Sequence, residues 1–159
     1  MPTRRRLLAA TAAAPLAPPA AAAAQSPRLS ASDYLSVGAT LTVKDMAKSA
    51  LVGLERLLAP PGVPDGLAAV NVYANAGMLL AANRFATGFD NLDIARSSWA
   101  QFLAAYADIE RFGTDLVTAV YTGDAPGVDA ARAQLPTMLS RLDAALHAYD
   151  VETDLGLGT

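Results

Sequence analysis

Gly66-Leu67-Ala68-Ala69-Val70-Asn71-Val72-Tyr73-Ala74-Asn75-Ala76-Gly77-Met78-Leu79-Leu80-Ala81-Ala82-Asn83 runs for 18 residues without a charge, between Asp65 and Arg84. It contains no proline, and no apolar/polar alternation of the kind a half-buried strand shows. It therefore reads as a helix that is apolar nearly all round. Its length is marginal for crossing a membrane, and Asn71, Asn75 and Asn83 would be costly in hydrocarbon. The better expectation is a helix central to a bundle, or one covered by another subunit. Asn71 and Asn75 lie one turn apart on a shared face, where they are placed to hydrogen-bond across a helix interface.

Punctuation on both sides isolates this segment. Upstream, Ala59-Pro60-Pro61-Gly62-Val63-Pro64 ends a helix that begins near Ser30-Ala31-Ser32-Asp33, a hydroxyl followed three residues later by an acid. That first helix carries Val43, Met46, Ala47, Ala50, Leu51, Leu54, Leu57 and Leu58 as one stripe at spacings of three and four. Downstream, Gly88 is placed to end the second helix, and Asp90-Asn91-Leu92-Asp93 to start the third. The third stripe runs Leu92, Ala95, Trp99, Phe102, Tyr106, Ile109, Gly113, Leu116 and Val120, and includes the single tryptophan. After Thr122-Gly123-Asp124, Pro126 sits in the first turn of a fourth helix, where a missing N–H is harmless. Its stripe is Val128, Ala131, Leu135, Met138, Leu139, Leu142, Leu146 and Tyr149, and interior Pro136 is expected to kink or split it. Four amphipathic segments with short links predict an all-α, antiparallel four-helix bundle, up-down-up-down. The glycines at 38, 53, 77 and 113 point to a slim bundle without a roomy interior.

The N-terminus reads as an export leader. Thr3-Arg4-Arg5-Arg6-Leu7-Leu8 is a basic start, Leu7 to Leu16 is mildly apolar, and Ala22-Ala23-Ala24 supplies small residues for cleavage before Gln25. Adjacent Arg4 and Arg5 before a leucine pair resemble a bacterial twin-arginine signal. The expected organisation is a cleaved leader over 1–24, a flexible lead-in over 25–31, the bundle over 32–151 and a flexible tail over 152–159. The expected location is the periplasm, with no stable membrane anchor after cleavage.

Composition removes several functions. The chain has no cysteine, so disulfides, thiolate metal sites and cysteine nucleophiles are excluded. Its formal net charge of −3 becomes −6 once the three leader arginines are removed, which argues against nucleic acid as partner. Outside the leader the glutamates are Glu55, Glu110 and Glu152, none followed three residues later by histidine, so a di-iron centre is not expected. A haem held by His147 with Met46 is the alternative worth weighing. His147, however, falls outside the Leu142–Leu146–Tyr149 stripe, between Asp143 and Asp150, where an imidazole is solvated. Met46 belongs to a core stripe, with packing as its default role. No nucleophile elbow or phosphate loop occurs, and Asp93–Arg96, Arg111–Asp115 and Asp129–Arg132 read as solvated ion pairs.

Ser32-Asp33-Tyr34-Leu35 and Leu135-Pro136-Thr137-Met138-Leu139 resemble elements of an exported bacterial family of ferritin-like helical bundles whose function is itself unknown. The resemblance implies a ferritin-like or cytochrome-like shape, with Pro136 introducing the final helix. The family's usual inner histidines are missing here, and Asn83 and Gln101 are the nearest polar substitutes, so the shape is expected without metal ligands. The expected role is a non-enzymatic module without cofactor, acting by self-association or on a protein partner. The alternative is a periplasmic carrier of haem or another apolar ligand between the helices.

Overall fold

A computed structural model describes residues 30–88 and 97–154. They form four helices, α1 (Ala31–Leu58), α2 (Gly66–Thr87), α3 (Ser97–Thr122) and α4 (Ala125–Thr153). The leader with Arg4 and Arg5, the helix start expected at 90–93 and the residues from 155 onward lie outside the described residues. No described helix is long and apolar enough to cross a membrane.

Each helix begins and ends where the local chemistry requires. The Tyr34 N–H donates to the Ser30 carbonyl at 3.2 Å, which opens α1. The proline-rich segment after Leu58 stops it. Pro126 occupies the first turn of α4, as expected. Gly123 has φ +70, the left-handed conformation that a Cβ disfavours, and it turns the chain from α3 to α4. Gly88 closes α2 with right-handed φ −61, its N–H donating to Arg84 and Ala86 carbonyls.

Neighbouring helices pack in sequence, with α1–α2, α2–α3 and α3–α4 in broad contact and α1–α4 closing the ring more sparsely. Cross-helix contacts fix their directions. Between α3 and α4 the Ser98 N–H donates to Glu152 Oε2 at 2.8 Å and Arg141 Nη1 to Asp108 Oδ2 at 2.9 Å. Between α1 and α4, Arg132 reaches the Leu58 carbonyl while Lys48 Nζ meets Asp143 at 3.4 Å. Between α2 and α3, Asn83 pairs with Glu110, and Leu79 and Ala76 lie against Gly113. Residue numbers run in opposite senses in all three pairs. Since α1 and α3 both oppose α4, and α2 opposes α3, α1 and α2 are antiparallel as well.

The stripes meet in one core. Val43, Ala47, Ala50, Leu51, Leu54 and Leu58 of α1 are fully buried, and Met46 packs half-buried beside them. The aromatic cluster lies at the end where α3 begins and α4 finishes. Trp99 stacks on Phe102 at 4.9 Å, Phe102 tilts against Tyr106 at 4.6 Å, and Tyr149 closes on Trp99 at 5.9 Å. Such pairs add about 0.5–1.5 kcal/mol each beyond area burial.

Two expectations are corrected. Pro136 neither splits α4 nor starts it, because α4 is continuous from Ala125 to Thr153. Pro136 is exposed while Leu135 and Met138 beside it are buried, so the lost backbone bond falls on the solvent side and packing holds the helix. Helix α4 runs to Thr153, and Glu152 near its end binds the first turn of α3, where a carboxylate satisfies an otherwise partnerless N–H. Arg132 is more than a surface ion pair with Asp129. Its guanidinium also binds the carbonyls of Leu58, Pro60 and Gly62, which ties the α1–α2 loop to α4. The last carbonyls of a helix lack intrahelical partners, and a cation there satisfies them. Arg111 pairs with Asp108 at 3.5 Å.

Candidate binding face on helix α2

Helix α2 has two apolar sides. Val72, Ala76, Leu79, Ala82 and Ala86 face the core and are buried together with Asn83. Leu67, Val70, Ala74, Met78, Ala81 and Phe85 recur at spacings of three and four on the opposite side, and all are exposed. At 100° per residue they fall within one narrow stripe. Leu67 is 76% exposed, Val70 57%, Phe85 42% and Met78 37%. Soluble monomers do show single exposed apolar residues; here four large ones form a row along one helix.

The stripe opens into a groove on its Val70 and Ala81 side. Tyr73, Gly77 and Leu80 of α2 form one wall and Gly113 and Val117 of α3 the other, enclosing about 240 Å³. Two glycines line it. A Cβ on Gly113 would lie in ordinary contact with the Leu79 side chain at 3.4 Å. A Cβ on Gly77 would meet nothing within 4 Å, so its side is open. Helix α2 itself carries no charged residue between Asp65, just before its first turn, and Arg84 in its last.

The asparagines divide by position. Asn71 is exposed, on the edge of the stripe. Asn75 is half-buried, its Nδ2 donating to the Asn71 carbonyl at 2.8 Å and its side chain filling the space beside Gly53 of α1. Asn75 thus serves the α1–α2 contact within the chain. Asn83, 8% exposed, donates to Glu110 of α3, while its Oδ1 has no partner among the described residues.

The two residues considered for haem differ in setting. His147 is exposed on α4, whereas Met46 packs against the core from α1, and neither lines the α2–α3 groove. Asp143, the acid one turn before His147, pairs with Lys48. Gln101 is exposed and lies in a shallow α3–α4 groove with Asp108 and Arg141. Among the described residues no group of three or more histidines or carboxylates is placed to hold a metal ion.

Tyr106 is the unusual titratable group. Its ring is fully buried and its hydroxyl has no hydrogen-bond partner among the described residues. Burial, with a smaller contribution from the negative charge of Asp45, holds its phenol well above the ordinary tyrosine pKa. Nothing opens this hydroxyl to solvent, so its role is in packing.

The absence of charge on α2 is plain in the sequence, but the division into two faces is not, since both use the same residue types. The signal that separates them is the second set of three-and-four spacings, 67, 70, 74, 78, 81 and 85. No protein-family model matches the chain, and no curated protein or solved structure matches it significantly.

Proposed function

We propose that the protein is an exported, non-catalytic helical bundle that works by binding a protein, with the outer face of α2 as its contact surface. The observation that carries this reading is the exposed row Leu67, Val70, Met78 and Phe85 on a helix with no charge between Asp65 and Arg84. A solvent-facing helix side ordinarily carries charge, and α2 lacks it over five turns. The helix also has a full inward face, so the apolar character of its outer side is not needed to build the core. Export is supported by the paired arginines, apolar run and small-residue end of the leader.

A photo-activatable amino acid placed at Ala74 tests the reading in exporting cells. Ala74 is exposed in the middle of the stripe, and Ala133 is an exposed control on α4. Light-dependent adducts from position 74 and none from 133 are expected. Equal labelling from both positions, or none from 74, refutes α2 as the contact face.

A further inference from the structure

Charge and shape together select an occupant for this face. A strongly charged partner finds no counter-charge along α2 and would bury its own charges unpaired. Copies of the chain itself, at net charge −6 without the leader arginines, repel one another unless they meet through uncharged surface. Helix α2 offers such a surface.

We infer that a second copy of this chain packs α2 against α2, antiparallel across a two-fold axis near the level of Ala76; this rests on the reading of α2 as the contact face. In that register Leu67 faces the second copy's Phe85, Val70 faces its Ala81 and Ala74 faces its Met78. The two inner pairs each set a large side chain opposite a small one, as close helix packing requires. The charges agree. Antiparallel packing brings exposed Asp65 within about one turn of the second copy's exposed Arg84, and the same pair recurs at the other end by symmetry. A parallel arrangement would place Asp65 beside Asp65 and Arg84 beside Arg84. The groove adds to the same surface, because Gly77 leaves room beside the stripe for a side chain from the facing helix.

The area sets the strength. From Leu67 to Phe85 the stripe is about 27 Å long and one helix wide, roughly 270 Å² of footprint per copy. Two such footprints total roughly 540 Å², below the about 1,000 Å² of a stable specific interface, which places the pair among weak, transient contacts. The association is therefore reversible, in the micromolar rather than the nanomolar range.

Sedimentation equilibrium of the chain without its leader, from about 1 to 100 µM, is expected to show a monomer–dimer equilibrium. Ala74→Glu should raise the dissociation constant at least about tenfold while leaving helix content and the thermal midpoint of the monomer unchanged, since Ala74 is exposed. The chain has no cysteine, so register can be read by introducing one. A mixture of A74C and M78C is expected to oxidise to the mixed disulfide faster than either variant alone forms its own. A monomer at every concentration, or an Ala74→Glu variant that dimerises like the parent, overturns the second copy as occupant. Faster self-coupling of A74C than of the mixture overturns the antiparallel register. A monomer that nonetheless cross-links from position 74 to a different protein in cells overturns the second copy and leaves α2 standing as the contact face.

Discussion

Replacing Tyr106 by phenylalanine removes one hydroxyl from the edge of the aromatic cluster, where Tyr106 meets Phe102, and nothing else. That hydroxyl is buried and has no partner among the described residues, so the folded chain carries a desolvated polar group. Leaving such a group unpaired costs about 1–3 kcal/mol. The phenylalanine ring would keep the contact that Tyr106 makes with Phe102 at 4.6 Å. Tyr106→Phe is therefore expected to be neutral or to stabilise the chain by up to about 2 kcal/mol at pH 7, read from urea unfolding followed by circular dichroism. The pH dependence carries an independent sign. The folded-state pKa is raised, first by burial and then by Asp45, so the native phenol keeps its proton where the unfolded one has lost it. Above pH of about 10 the unfolded state binds fewer protons, and stability falls as pH rises, by at most about 1.4 kcal/mol per unit. Below that pH the contribution is fully present. The parent minus variant difference should be flat from pH of about 6 to about 9 and then turn against the parent. A loss of about 1 kcal/mol or more in the variant at pH 7 would mean that the hydroxyl is hydrogen-bonded and that the cluster is arranged differently.

Three further outcomes follow from the same structure. Phe102→Ala empties the centre of the cluster and should cost about 3–5 kcal/mol in urea unfolding, a large share of the roughly 5–15 kcal/mol that holds a small domain folded. Arg132→Met keeps the aliphatic stem but frees the carbonyls of Leu58, Pro60 and Gly62; it should cost about 1–3 kcal/mol and speed hydrogen exchange across 59–65, with other loops unchanged. Converting Arg4, Arg5 and Arg6 together to lysine should abolish periplasmic accumulation through a twin-arginine route, and normal accumulation would assign the leader to a route that needs only positive charge.

Much of the bundle is legible because its helices are bounded by residues with strong local preferences. Pro60, Pro61 and Pro64 separate α1 from α2, and Gly123 with Pro126 separates α3 from α4; each acts through its own backbone. The inward stripes of α1 and α3 are equally readable, since Leu51 and Leu54 contrast with Glu55 and Arg56, and Trp99, Phe102 and Tyr106 are large among small neighbours. Pro136 misleads because its cost is local while its compensation is not: Leu135 and Met138 are held by contacts with other helices. Glu152 and Arg132 show the same limit. Each looks like a solvated charge until the fold brings a helix start, or a loop 70 residues away, within hydrogen-bond reach. The binding face is half legible. Missing charge marks α2, but Asn75 shares a face with Asn71 on a helical wheel and still turns inward, because Gly53 on α1 leaves space for it.

Hydroxyl-radical footprinting of the chain in exporting cells, compared with the purified chain at high dilution, tests the α2 contact face most directly. His147 and Val151 on α4 are exposed and serve as unprotected standards, and buried Met138 as the protected one. Leu67, Met78 and Phe85 are expected to lose most of their reactivity in cells while His147 and Val151 keep theirs. Equal reactivity of Leu67 and Met78 in the two samples would contradict α2 as the contact face.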